Sequence, residues 1–294
     1  EPHSGLVDRA MGIFADDQVV GILGADRISY RLLDAATGDV LRNGKLEADR
    51  SSLRFAAGAR LIWVIEGTDG KRVRIWDAAE DRVIFEDTVR ERQYVRLTAD
   101  RELVWLTADD HLCVLDVKRN QMLVRCPLDA SELTRISSFN VFRQSGQYFL
   151  NLGRTLPSAR TEHYHSALND HALPVTPLRD DLLAIDPSGT AIAWKRTLPQ
   201  TSILSWGRLP VPVLVSMSKV RHKADNNHEW LRVDVHDLAT GQRLGTADLL
   251  PKDRWVHSDY DGERGEIRVY GLQHTVHVRF GKTIQQLPDN DEVL

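Results

Sequence analysis

One hairpin signature recurs along the chain and constrains its fold more than any other feature. An apolar strand ends in an aspartate, a short polar turn follows, and a second strand leaves the turn. The aspartates are Asp34 in YRLLDAATGDVL, Asp77 in VRIWDAAEDRVIF, Asp116 in LCVLDVKRNQMLV, Asp186 in LLAIDPSGTAIAW and Asp237 in VDVHDLATGQRL. A degenerate relative, IRVYGLQHTVHVRF, has Gly271 at that place. An aspartate carboxylate can accept backbone N–H groups from the turn after it, and glycine supplies the positive φ that closes such a turn. Each hairpin is preceded by another strand candidate: VVGILGA, RLIWVIEG, ELVWLTAD, QYFLNLG and PVLVSMS. No window of helical length carries a sustained 3.6-residue apolar period, so the expected class is all-β.

The markers fall 43, 39, 70, 51 and 34 residues apart. Three of these intervals bracket the roughly 40–45 residues of a four-stranded propeller blade. A β-sandwich also has short, regular strands, but seldom repeats one hairpin signature five times. Radial repetition suits the pattern better, because each blade buries its faces against its neighbours. Six blades are in view, which leaves open a disc of seven or eight. Residues 18–281 read as the propeller. Residues 1–17 read as an N-terminal segment, an incomplete or closing strand, and 282–294 as a tail. The longest intervals call for insertions, at 157–181 and 219–230.

The hairpins resemble those of the PQQ-like, quinoprotein-type β-propeller repeat, whose signature is Ala-x-Asp-x-x-Thr-Gly-x-x-x-Trp. Ala184, Asp186 and Trp194 match it, with Gly189 one place early and no threonine. Leu-Asp-Ala-Ala-Thr-Gly at 33–38 and His-Asp-Leu-Ala-Thr-Gly at 236–241 match its turn. The family's docking tryptophan falls eight residues after the aspartate, where this chain has Arg42, Phe85, Val124, Trp194 and Gly245. Ile75-Trp76-Asp77 is similar to a WD40 strand end, without the Gly-His partner dipeptide. The resemblance implies a propeller and a bacterial envelope, periplasmic or secreted setting. The cofactor of active quinoprotein dehydrogenases goes with a pair of adjacent cysteines. Cys113 and Cys126 are not adjacent, so no cofactor is expected, and added PQQ with calcium should not bind.

The 294 residues are 42% hydrophobic and 27% charged with a net charge of −4, values of a folded globular chain with no global attraction to nucleic acid. No apolar run approaches the ~18 residues that span a bilayer. The start, EPHSGLVDRA, reads as processed or internal to a longer protein. No phosphate-loop, dinucleotide, zinc-protease or serine-hydrolase motif is present. Cys113 and Cys126 lie on the two arms of one hairpin; a turn centred at Arg119–Asn120 would set them face to face. Two buried free thiols are the expected state, and a cross-strand disulfide the demanding alternative. The tryptophans, among them Trp63, Trp76 and Trp105, suit packing between blades. His236, His257, His274 and His277 fall in strand patterns, as structural hydrogen-bonding residues do.

Both insertions connect the second strand of a blade (B) to the third (C), so both rise from the end opposite the aspartate turns. Loops on a rigid scaffold carry recognition. The candidate binding residues are therefore His163, Tyr164, His165, His171, Arg221, His222, Lys223 and Trp230. His163, His165, Asp170 and His171 also form the one candidate metal set, weighed against a plain solvated loop. These observations point to a non-catalytic scaffold that binds a protein partner or other domains of a larger precursor, with no nucleic-acid partner and no direct membrane insertion. The alternative is a divergent quinoprotein oxidoreductase, or a metal-assisted hydrolase or lyase using the His163–His171 loop.

Overall fold

A computed structural model describes residues 12–154 apart from 27, 48–53, 99, 135 and 145, and residues 175–279 apart from 179, 199–200, 205–212, 222–228, 250–254, 262–263 and 272–274. These residues form antiparallel sheets of the propeller-blade type, in two compact units, Glu1–Ala130 and Ser131–Leu294.

The first unit holds three four-stranded meanders, each with strands A to D in chain order. The first sheet is β1 (Gly12–Ala15), β2 (Val19–Leu23), β3 (Ser29–Asp34) and β4 (Val40–Lys45). The second is β5 (Arg54–Ala57), β6 (Arg60–Gly67), β7 (Gly70–Asp77) and β8 (Arg82–Val89); the third is β9 (Arg96–Leu97), β10 (Glu102–Leu106), β11 (His111–Asp116) and β12 (Gln121–Pro127).

Alternation along the strands sends side chains to both faces, and in the B and C strands of the second and third sheets both faces are buried. Leu61, Trp63 and Trp76 of the second sheet pack with Phe14, Tyr30 and Leu32 of the first. From its other face Ile62, Val64, Val73 and Ile75 pack with Leu103, Trp105, Cys113 and Leu115 of the third. The second sheet thus lies between its neighbours, and the tryptophans sit between blades as their spacing predicts.

In the second unit the fourth sheet has the order β13 (Ile136–Gln144), β14 (Gln147–Arg154), β16 (Asp181–Ile185), β17 (Ile192–Thr197). The fifth has β15 (Val175–Leu178), β18 (Thr201–Leu204), β19 (Val213–Arg221), β20 (Glu229–Asp237) and β21 (Arg243–Leu249). The sixth has β22 (Trp255–Asp261), β23 (Glu266–Gly271) and β24 (Thr275–Arg279). Phe149, Leu182 and Ala184 of the fourth sheet pack with Leu214 and Leu238 of the fifth.

Three expectations change. The long insertion is not loop throughout: β15 leaves it to pair with β18, adding a fifth strand to the next sheet, and Asp181 is a buried residue of β16. The second insertion is shorter than 219–230, because β19 and β20 stay paired out to Arg221↔Glu229. The β23–β24 hairpin around Gly271 runs in unbroken register, without the shift that the five aspartate hairpins share.

Register also separates the two cysteines. Their hairpin closes at Asp116↔Gln121, so its turn is centred between Lys118 and Arg119, one residue before the expected place. The earlier turn moves the pairing by two positions, and a bulge returns one of them. Leu115 pairs with Met122 but Val114 with Val124, which leaves Leu123 as an extra residue in β12. Cys113 then faces Arg125, and Cys126 faces Leu112. A one-residue offset puts side chains on opposite faces of a strand pair. Both cysteines are buried thiols outside any disulfide. Burial pushes the Cys113 thiol up to about 12. Its folded value lies above the unfolded one of 9.0, so the stability it contributes is whole below that pH and lost as pH rises toward about 12. Native protein at neutral pH should therefore leave both thiols unlabelled by a thiol reagent over a time in which urea-unfolded chain titrates two. Rapid labelling of the native chain would contradict their placement.

Candidate functional site

The five repeated aspartates build one device. In each hairpin the carboxylate Oδ1 accepts N–H groups of its own turn: Ala36 and Thr37 donate to Asp34, Ala79 and Glu80 to Asp77, Arg119 to Asp116, Thr190 and Ala191 to Asp186, and Thr240 to Asp237, all at 2.8–3.2 Å. These bonds hold Asp34 below the ordinary carboxylate value, and the Ser188 hydroxyl, together with the turn N–H groups, does the same for Asp186. The residue four places on turns left-handed: Gly38, Asp81, Asn120 and Gly241, with φ between 51° and 76°. In the Asp186 turn the early Gly189 takes that role, at φ 74°.

Seven places after each aspartate comes a bulge, at Leu41, Ile84, Leu123, Ala193 and Leu244, where the register slips by one. Bulges add twist and re-aim the residues beside them. The re-aimed neighbour is the position eight after the aspartate, and at the first-to-second and fourth-to-fifth boundaries it meets the turn of the following sheet. Trp194 donates from Nε1 to Leu238 O at 2.7 Å and covers Gly241, where a Cβ would lie 2.6 Å from the indole. Arg196 Nε adds a bond to Gly241 O. At the first boundary the same two positions are Arg42 and Asp81, which form an ion pair at 2.6 Å, and Tyr30 OH donates to Asp81 as well. At the second, Phe85 packs edge-on against Trp105 while Asn120 Nδ2 donates to the carbonyl of the bulged Ile84. At the two boundaries of the first unit, where the sequence lacks the tryptophan, an ion pair and an edge-on aromatic contact thus join the sheets.

Arg60 ties the second sheet to the third. Its Nε lies 2.9 Å from Asp77 Oδ2, and its NH1 donates to Val117 O and Lys118 O. Around it, at the end of the sheets that carries the aspartate turns, the first unit has a cleft of about 720 Å³ lined by the A–B turns of all three sheets. Nothing in the sequence marks it, because those turns share no motif.

His236 Nε2 and Ser216 Oγ lie 3.2 Å apart on neighbouring strands β20 and β19. Only 6% and 2% exposed, they sit on the strand face that carries Leu214, and burial holds the imidazole below its ordinary value. The pair joins two strands within the core, as does His277 Nδ1, 3.3 Å from the buried Glu266 carboxylate.

Of the candidate binding residues, His163, Tyr164, His165, Asp170, His171, His222 and Lys223 lie outside the described residues, as does His274. Arg221 is the last residue of β19, and Trp230 pairs with Val220 in β20. Among the described residues no group of three or more histidine, cysteine or acidic side chains is placed to hold a metal.

No family model and no curated protein matches the chain. Solved structures do. BamB from Moraxella catarrhalis is 13% identical over 94% of this chain and 75% of its own, with a TM-score of 0.37. A eukaryotic initiation factor is 12% identical over 95% and 64%, with a TM-score of 0.42. The hydrazine synthase of Kuenenia stuttgartiensis is 13% identical over 95% and 78%, with a TM-score of 0.33. At these identities none of them assigns a role to any side chain described above.

Proposed function

We propose that the chain is a non-catalytic propeller-type scaffold that binds a protein partner through the B–C ends of its fourth and fifth sheets, as part of a larger bacterial envelope protein. One observation carries the reading. B–C connections elsewhere close tightly, with Gly67 directly opposite Gly70 and Leu106 opposite Leu112. The β14–β16 and β19–β20 connections instead leave strands paired almost to their ends, at Leu152↔Asp181 and Arg221↔Glu229. Residues that a framework does not need for closure are where a scaffold places recognition. The envelope setting rests on the repeat resemblance. Among the described residues no helix is long and apolar enough to cross a membrane.

The test is a deletion that spares β15 and Asp181. Replacing 157–173 with a short Gly-containing turn should shift stability by no more than about 1–2 kcal/mol in urea melts, since loop closure depends weakly on length. A pull-down from the native source should lose partner that the parent chain captures. A variant that keeps every partner contradicts the assignment. Stoichiometric zinc in the native protein, by mass spectrometry, would favour the metal-dependent enzyme instead.

A further inference from the structure

The cleft of the first unit has an ordered charge pattern along its length. The first sheet supplies an acidic wall, Asp16 and Asp17. Asp16 Oδ1 accepts the N–H groups of Gln18 and Val19, whereas the exposed Asp17 carboxylate has no partner among the described residues. The second sheet supplies a floor of small side chains: Ala57, Gly58, Ala59 and Ala79. The charges there are spent inside the protein, Arg60 on Asp77 and on the carbonyls of the third sheet, and Glu80 on Arg82. The third sheet supplies a basic wall, Arg101 and Lys118, both exposed and neither in an ion pair among the described residues. Because the second sheet lies between the other two, the cleft runs from acid through a neutral, low floor to base.

Framework needs do not account for the basic wall. Arg101 stands at φ 61°, a left-handed position where an arginine carries a backbone cost that glycine avoids. Glycine fills the left-handed place in the A–B turns of the second and fourth sheets, at Gly58 and Gly146. Lys118 contributes its carbonyl to Arg60, a bond any residue could make.

We propose that this cleft binds an extended peptide segment with cationic side chains at one end and anionic side chains at the other. The cations would face Asp16 and Asp17, the anions Arg101 and Lys118, and the alanine–glycine floor would admit the peptide main chain between them. A volume of this size is that of sites which enclose a small ligand or a short segment. The inference concerns the aspartate-turn end of the first unit and does not rest on the B–C loops.

The experiment is fluorescence anisotropy on the whole chain at low salt with three labelled heptapeptides sharing a Gly-Ala-Gly centre. One has two lysines at one end and two glutamates at the other, one has lysines at both ends, and one has glutamates at both. The dipolar peptide should bind at least tenfold more tightly than either uniform one. The double variant Arg101→Gly/Lys118→Gln should weaken it at least tenfold while leaving the melting temperature unchanged or raised, since glycine suits φ 61°. Asp17→Asn should weaken it too, from the other end. Equal binding of the three peptides, no saturable binding below about 1 mM, or a double variant that binds like the parent overturns the proposal.

Discussion

Replacing Gly241 by alanine should destabilise the chain by about 3 kcal/mol. About 1 kcal/mol comes from holding alanine at φ 66°, and the remainder from a Cβ forced to within 2.6 Å of the Trp194 ring. Trp194→Ala should cost about 3 kcal/mol by itself, since it removes packing on Phe149 and the bond to Leu238 O. In the Trp194→Ala background, Gly241→Ala should cost only the backbone part, because nothing remains for its Cβ to strike. Urea melts of the four proteins give the coupling directly. Additive losses would mean that Trp194 does not dock on the Asp237 turn.

Removing the Glu266 carboxylate should have an effect of similar size. The side chain is 0% exposed, accepts from Arg268 Nε at 2.8 Å and lies 3.3 Å from His277 Nδ1. Arg268 also pairs with Asp261, so a four-residue polar network spans the sixth sheet. Deleting one member of a buried pair typically costs about 3–5 kcal/mol, and because Arg268 keeps Asp261 as a partner the lower end of that range, about 3 kcal/mol, applies. Glu266→Ala should therefore lower stability by about that much. Glu266→Gln, which keeps the size and an acceptor oxygen, should cost about half as much. An alanine variant within about 1 kcal/mol of the parent would show that the network contributes little to holding the sheet.

The parts of the fold legible in the sequence are those written in local chemistry. Asp34, Asp77, Asp116, Asp186 and Asp237 announce their turns because a carboxylate, one or two turn N–H groups and a left-handed residue all lie within a few positions. The strands RLIWVIEG, ELVWLTAD, QYFLNLG and PVLVSMS announce themselves by apolar runs buried on both faces, and VVGILGA by a run with one face buried and the other half-buried. Docking between sheets is written in pairs of residues from different repeats. Arg42 reads as a lost tryptophan until Asp81 is found opposite it. The bulge at Leu123 has no side-chain signature, so a register that sets Cys126 opposite Leu112 instead of Cys113 is not legible in the hairpin's sequence. Strand β15 reads as part of a loop, because its pairing partner β18 belongs to the next sheet. The cleft is invisible for a related reason. Asp16-Asp17, Ala57-Gly58-Ala59 and Arg101 belong to three turns of different sequence, and their opposed charges meet only when the sheets pack.

The dependence of each outer strand on the next turn is tested most directly by moving a docking pair from one boundary to another. Arg42→Trp with Asp81→Gly installs at the first boundary the tryptophan–glycine pair of the fourth and fifth sheets. Arg42→Trp alone should destabilise by placing an indole against the Asp81 side chain, and Asp81→Gly alone by taking the partner from Arg42 and Tyr30. Together they should recover stability to within about 1 kcal/mol of the parent in urea melts. If the double variant instead loses the sum of the two single losses, the position eight after the aspartate is not read by the following turn, and the repeated signature is a hairpin motif alone.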